Sequence, residues 1–292
     1  MITVVKKETI IGVVTMLEKI QRFNGSEVEL EYLLTGEENV ETIIFVHGAG
    51  SNLRQFKLQH EYLSKEFRVL SISLRGHGDS SNSLDNTSKG YTLEKNRDDI
   101  LELLEYLKIE KIHYIGNSAG GLIGYELIIK KPQLFSSFIT FGTTAELKLS
   151  KFVVNLISQI DRVMLRINPK SYYEFMSKHS SKYNNIQKEI YDLLIRTKKG
   201  ILIRRNIGNY SYTNIIEKIN IPFLVIKGEF DNDINNNLKT TIEAINNNNN
   251  ASIIKLEGAG HFANLDKFEE FNRIIGEFIK SVSVCKENKH NL

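Results

Sequence analysis

The chain has 292 residues, 41% hydrophobic and 25% charged, with a formal net charge of +3. Such values exclude a disordered chain and argue against a dedicated nucleic-acid binder, while the length suffices to bury a large core. The single cysteine, Cys285, excludes an intrachain disulfide framework, and no Cys/His cluster has zinc spacing, so neither a metal nor a cofactor is expected.

Taken in chain order, Lys6-Lys7 precede an apolar run from Ile10 to Leu17. It is closed at once by Glu18 and Lys19, has no small-residue cleavage site and is far too short to span a bilayer. An edge strand or short helix, and a cytoplasmic protein, are expected. Val28–Leu34 alternates like a strand. Thr42–Val46 is continuously apolar, as in a strand buried on both faces, and runs into His47-Gly48-Ala49-Gly50. Leu53–Lys65 has helical periodicity. Arg68–Leu74 is strand-like and leads into Arg75-Gly76-His77-Gly78-Asp79-Ser80. Thr92 is placed to cap a helix to Leu107, with Leu93, Ile100, Leu103, Leu104 and Leu107 on one face.

Ile112–Ile115 is a short strand that ends in Gly116-Asn117-Ser118-Ala119-Gly120, and a helical run to Lys130 follows. This G-x-S-x-G spacing at a strand-to-helix turn lifts a serine hydroxyl out of the sheet. The helix N-terminus behind it favours developing negative charge. Ser118 is thus the candidate nucleophile. The backbone N–H of Ala119, with that of Ala49 or its substitute Gly50, is a candidate oxyanion donor.

After the strand-like Phe138–Phe141 the alternation of strands and helices stops. From about Thr144 to Glu217 no convincing strand appears, and helices are expected at Lys151–Ile167, Lys170–His179 and Ile186–Lys198, with a shorter piece at Ile201–Ile207. Between Glu146 and Arg205 this segment carries 13 Lys and Arg against five Asp and Glu. A solvated helical face accounts for such charge, and attraction of an anionic substrate or membrane surface is the alternative.

Alternation resumes at Pro222–Lys227, a buried strand followed by Gly228-Glu229-Phe230-Asp231. A carboxylate here can orient a histidine ring, and Asp231 is the candidate. Aspartate is also a common turn former or helix cap, and Asp233, Glu229 and the more remote Glu146 compete. Ser252–Leu256 precedes Gly258-Ala259-Gly260-His261-Phe262, a loop from which His261 can exchange a proton with Ser118. His60, His113, His179 and His290 lack such a setting and read as structural or solvated. Asp266 is placed to cap a last helix, Lys267–Lys280, with Phe268, Phe271, Ile274, Ile275 and Phe278 inward.

The order Ser118, Asp231, His261 and the strand before each loop resemble the α/β-hydrolase superfamily from about Glu27 to Ile279. The resemblance implies an α/β fold with a mostly parallel sheet covered by helices on both faces. It implies a core of residues 1–143 and 218–292 and an inserted helical cap of 144–217. It gives the Arg75–Ser80 loop a scaffold role, so His77 is not taken as catalytic. The implied activity is hydrolysis of a small-to-medium carboxylic ester through an acyl-enzyme, on a small-molecule acyl substrate. Thioesterase, lactonase and carbon–carbon bond hydrolase activities use the same three residues, and some members are slow ligand receptors that signal through the cap. Gly48, Gly50, Asn117, Tyr172, Tyr173, Phe175, Met176 and Phe262 are the candidate pocket residues.

Overall fold

The computed structural model describes residues 16–290, with side chains to residue 283. The expectation for the run from Ile10 to Leu17 falls largely outside the described residues. The strands are β1 (Gln21–Asn24), β2 (Glu29–Thr35), β3 (Thr42–Val46), β4 (Arg68–Ile72), β5 (Ile112–Asn117), β6 (Phe135–Phe141), β7 (Glu146–Lys148), β8 (Asn209–Ser211), β9 (Phe223–Gly228) and β10 (Ala251–Leu256). Eight of them form one sheet in the order β1-β2-β4-β3-β5-β6-β9-β10. From β4 to β10 the pairing is parallel, and β2 runs antiparallel to both of its neighbours.

The helices are α1 (Lys57–Leu63), α2 (Leu93–Tyr106), α3 (Ala119–Lys130), α4 (Lys151–Ile167), α5 (Pro169–Ser180), α6 (Asn184–Leu194), α7 (Thr213–Lys218), α8 (Asn232–Asn235), α9 (Lys239–Asn246), α10 (Ala263–Asp266) and α11 (Phe268–His290). Alternate residues of one strand point to opposite faces of the sheet. In β3, Ile44 and Val46 join Leu103, Leu104, Ile123 and Leu127 of α2 and α3 on one face. Ile43 and Phe45 join Leu63, Phe271, Ile275 and Ile279 of α1 and α11 on the other. Both faces are therefore covered, which is why the central strands read as unbroken apolar runs.

Thr92 does cap α2, its Oγ1 accepting from Lys95 N at 3.3 Å. Four expectations need correction. Leu53–Phe56 is a 3₁₀ turn before α1, so the expected single helix is broken there. The inserted segment contains the strands β7 and β8, which pair antiparallel as a separate two-stranded sheet. Each is three residues long and edge-exposed, too short for periodicity to register. Asp266 does not cap the last helix. It closes the short α10, and its carboxylate instead accepts from Gly260 N at 2.7 Å and from the Ser181 hydroxyl. Phe268 at the start of α11 is exposed, and Ile279 takes an inward place in its stead.

Candidate active site

The carboxyl ends of β3, β5, β9 and β10 converge on one edge of the sheet, the position where open parallel sheets hold their ligands. Ser118 stands at the end of β5 with φ 52° and ψ −119°, and α3 begins at the next residue. A left-handed serine costs about 1–3 kcal/mol, and the surroundings over-determine it. Ser118 N donates to Phe141 O at 2.9 Å, Thr143 Oγ1 donates to Ser118 O at 3.0 Å, and Tyr114 Oη donates to Gly120 O at 2.7 Å. The flanking glycines are required by close approach. A Cβ on Gly120 would lie 2.2 Å from Val46 O, and one on Gly116 would lie 2.6 Å from the Gly120 backbone.

His261 Nδ1 lies 2.9 Å from Asp231 Oδ2, with Asp231 5% exposed. A carboxylate accepts only, so Nδ1–H donates and Nε2 is left free for other chemistry. Burial opposes charge on the ring, but the Asp231 carboxylate outweighs it through charge and hydrogen bond, and the His261 pKa stands above the ordinary imidazole value. Asp231 precedes α8 without making a side-chain cap. The competing carboxylates are engaged elsewhere. Glu229 Oε2 accepts from Gly258 N at 2.8 Å, exposed Asp233 meets His179, and Glu146 meets Lys148 and Ser211.

Ser118 and His261 line one cavity of about 260 Å³, together with Gly48, Ala49, Asn117, Met176 and Phe262. Among the described residues no hydrogen bond joins Ser118 Oγ to His261. The remaining wall comes from residues that the sequence did not single out: Leu147, Leu149, Val154, Ile157, Leu194 and Ile207 are apolar, and Arg204 is the one full cation. These side chains sit on β7, the turn after it, α4, α6 and the segment before β8, so no local motif marks them. Four expected pocket residues lie elsewhere. Gly50 turns away at φ 93°, and its N–H donates to His77 Nε2 at 3.2 Å. Tyr172 is buried and donates to Asp161 at 2.9 Å. Tyr173 packs against the cluster of Ile190, Leu193, Leu194, Phe262 and Leu265. Phe175 is 65% exposed and stacks on His179.

The loop after β3 is held by two buried histidines. His47 Nε2 accepts from Leu74 N at 3.0 Å, so its Nδ1–H donates to Gly48 O at 2.7 Å. His77 Nε2 accepts from Gly50 N, so its Nδ1–H donates to Arg75 O at 3.0 Å. Burial pushes His77 down to about 4 and holds His47 well below the ordinary value, so both are neutral spacers.

A buried amide ladder ties the serine turn to the histidine loop. Asn117 Nδ2 donates to Phe141 O and His261 O, and Gln55 Nε2 donates to Asn117 Oδ1 and Asn264 Oδ1. Asn264 Nδ2 in turn donates to Gln55 O and Gln59 Oε1. The partners lie up to 209 residues apart, so sequence reasoning had no signal for the ladder beyond Asn117 itself. The insertion is also tied to this loop, through His261 N donating to Ser180 O at 3.0 Å.

The parallel sheet, the serine turn and the strand-end loops define the α/β-hydrolase fold, whose family description matches residues 41–268, and the chain belongs to that family. Among characterised proteins, it is 27% identical to 3-oxoadipate enol-lactonase 1 of Acinetobacter baylyi, over 91% of this chain and 98% of that protein. Its fold is that of a thermophilic esterase from Thermogutta terrifontis, with a TM-score of 0.79, 21% identity, and 90% and 99% of the two chains covered. It is also that of an enol-lactonase from Burkholderia xenovorans, with a TM-score of 0.74, 23% identity, and 89% and 100% covered. At such identities these structures show the fold alone. No helix of the described residues is long and apolar enough to cross a membrane.

Proposed function

We propose that this chain is a serine hydrolase that cleaves a carboxylic ester or lactone through an acyl-enzyme. The observation that carries the reading is the His261–Asp231 contact of 2.9 Å at the wall of the cavity that also holds the left-handed Ser118. Ser118 Oγ attacks the carbonyl carbon and passes its proton to His261 Nε2. Asp231 fixes the ring and stabilises the imidazolium. The N–H groups of Ala49 and Ala119 hold the oxyanion. Among the described residues neither has a hydrogen-bond acceptor, whereas Gly50 N is taken up by His77, so the substitution of Gly50 for Ala49 is not part of this proposal. The bond to the alcohol oxygen breaks as His261 returns the proton to it. In a lactone that oxygen stays tethered to the acyl group. Water then gives a proton to His261 and adds to the acyl carbon; the bond from that carbon to Ser118 Oγ breaks as His261 returns the proton to Oγ, and the acid leaves.

The insertion of residues 144–217 acts as the cap, its apolar side chains closing the cavity over Ser118. The lactone form of the reading rests on the 27% identity to an enol-lactonase across nearly the full length of both chains. The small volume and apolar wall suit a compact acyl group.

The test is turnover of p-nitrophenyl esters, acetate to palmitate, and of five- and six-membered lactones, by the wild type and by Ser118→Ala. Multiple turnover that falls by a factor of about 10³ or more in Ser118→Ala supports the proposal. Normal turnover by Ser118→Ala would refute it.

A further inference from the structure

The helix α4 presents its apolar residues to solvent. Its half-buried positions are Val154, Ser158, Asp161 and Leu165, spaced to face the body of the protein. None of its side chains is fully buried. Phe152, Val153, Leu156, Ile160, Val163 and Ile167 are all exposed, Phe152 and Ile167 at 75%. At 3.6 residues per turn they fall in one continuous arc of roughly 100°. An apolar strip of this length on a monomer marks an interaction surface rather than scattered exposure.

Cations border that arc on one side. Arg162 and Arg166 lie on the adjoining edge of α4, and among the described residues neither is in an ion pair. They line a second cavity, of about 630 Å³, with Lys198, Lys199, Arg204 and Arg205 across from them. Asp161 is the single carboxylate of its wall, and Arg204 already neutralises it.

We propose that α4 docks this protein on an anionic lipid bilayer, its apolar arc among the acyl chains and the cationic cavity against the headgroup phosphates. An apolar face edged by Arg and Lys is the pattern of helices that lie in the membrane interface. Charge decides against a second copy of the chain as the occupant. The segment from Glu146 to Arg205 carries 13 Lys and Arg against five Asp and Glu, so an isologous α4–α4 contact would press two strongly positive surfaces together. An anionic bilayer complements the same charge. Val154 and Ile157 of α4 also line the cavity that holds Ser118, so docking sets that cavity at the lipid surface. Supply of an acyl substrate from the bilayer then follows from the hydrolase reading, while the docking itself stands apart from it.

The experiment is co-sedimentation of the full chain with vesicles of phosphatidylglycerol and phosphatidylcholine, and with phosphatidylcholine alone. Wild type, Ile160→Glu and the double variant Arg162→Glu/Arg166→Glu are compared, with circular dichroism confirming each fold. The expected result is binding to the anionic vesicles that weakens about tenfold or more in each variant and in raised salt. Turnover of a water-soluble ester is measured alongside on wild type and Ile160→Glu, so that loss of docking and failure of the hydrolase reading are separate readouts. Absence of wild-type binding to anionic vesicles overturns the proposal. So does binding that Ile160→Glu leaves unchanged, or a wild-type dimer without vesicle affinity that Ile160→Glu converts to a monomer.

Discussion

The sheet edge around Ser118 and the helical insertion above it are built on opposite terms. At the sheet edge the backbone and side chains are closely held: a Cβ on Gly48 would lie 2.7 Å from Ser118 Cβ, and Asn117, Gln55 and Asn264 are hydrogen-bonded into one ladder. In the insertion α4 buries no side chain and keeps its apolar arc in water. On the proposed hydrolase reading the difference separates two jobs. Chemistry that needs sub-ångström placement would sit on the rigid frame, and the wall that meets the substrate would be carried by a lightly packed layer.

Three substitutions or conditions probe the rigid side of this contrast. The largest effect belongs to Asp231→Asn. Removing the carboxylate leaves the fold in place but loses the ring orientation and the charge, and kcat falls by about 10⁴. The pH profile checks the cause. His261 must be neutral to accept a proton, and Asp231 raises its pKa, so wild-type activity is lost as pH falls through a value above the ordinary imidazole range. In Asp231→Asn the residual activity has its acid limb at lower pH. A limb that does not move would show that Asp231 does not set the His261 charge.

Next is Arg75→Ala, behind the site. Arg75 is 1% exposed and grips Asp99 through Nε at 2.7 Å and Nη2 at 2.6 Å. Burial pushes Asp99 up to about 6 even with Arg75 present. Loss of the cation strands a buried carboxylate, at a cost of about 3 kcal/mol in urea unfolding, with proton uptake by Asp99 limiting the loss at lower pH. A change below about 0.5 kcal/mol would mean that the pair contributes nothing to the frame.

The smallest effect per group is acid destabilisation. Burial sets His60 at about 3 and His77 at about 4, against 6.5 for a free ring. Below pH 6.5 the unfolded chain takes up protons that the folded chain refuses. Stability present above 6.5 is therefore lost as pH falls, at about 1.4 kcal/mol per pH unit for each ring. Urea midpoints at pH 7 and pH 5 measure it, and equal midpoints would contradict the neutral, buried setting of these histidines. The insertion contains no such group, so Phe175→Ala, at a 65% exposed position, changes the midpoint little.

Much of the sheet edge was legible because its signals are local. Strand-like runs located β3, β5, β6, β9 and β10, and the small residues at the ends of β5, β9 and β10 located the turns where Ser118, Asp231 and His261 stand. The boundaries of α4 follow from a 3.6-residue repeat starting after Ser150, which caps it through Val153 N at 3.3 Å. Periodicity announces an apolar face but not the direction in which it points, so the same pattern that buries α2 and α11 leaves α4 uncovered. The aromatic residues of α5 illustrate the same gap. Tyr172 looks like pocket lining in sequence, but its hydroxyl found Asp161, and Phe175, less than one turn away, found only His179.

Sequence by itself thus determined the main strands and helices, their order and the turns that carry Ser118, Asp231 and His261, since each depends on residues a few positions apart. Tertiary structure alone decided which carboxylate meets His261, which side chains line the cavity and what α4 leaves in water. Each of those is a contact between segments tens to hundreds of residues apart, set by how layers pack, and no short-range pattern encodes it.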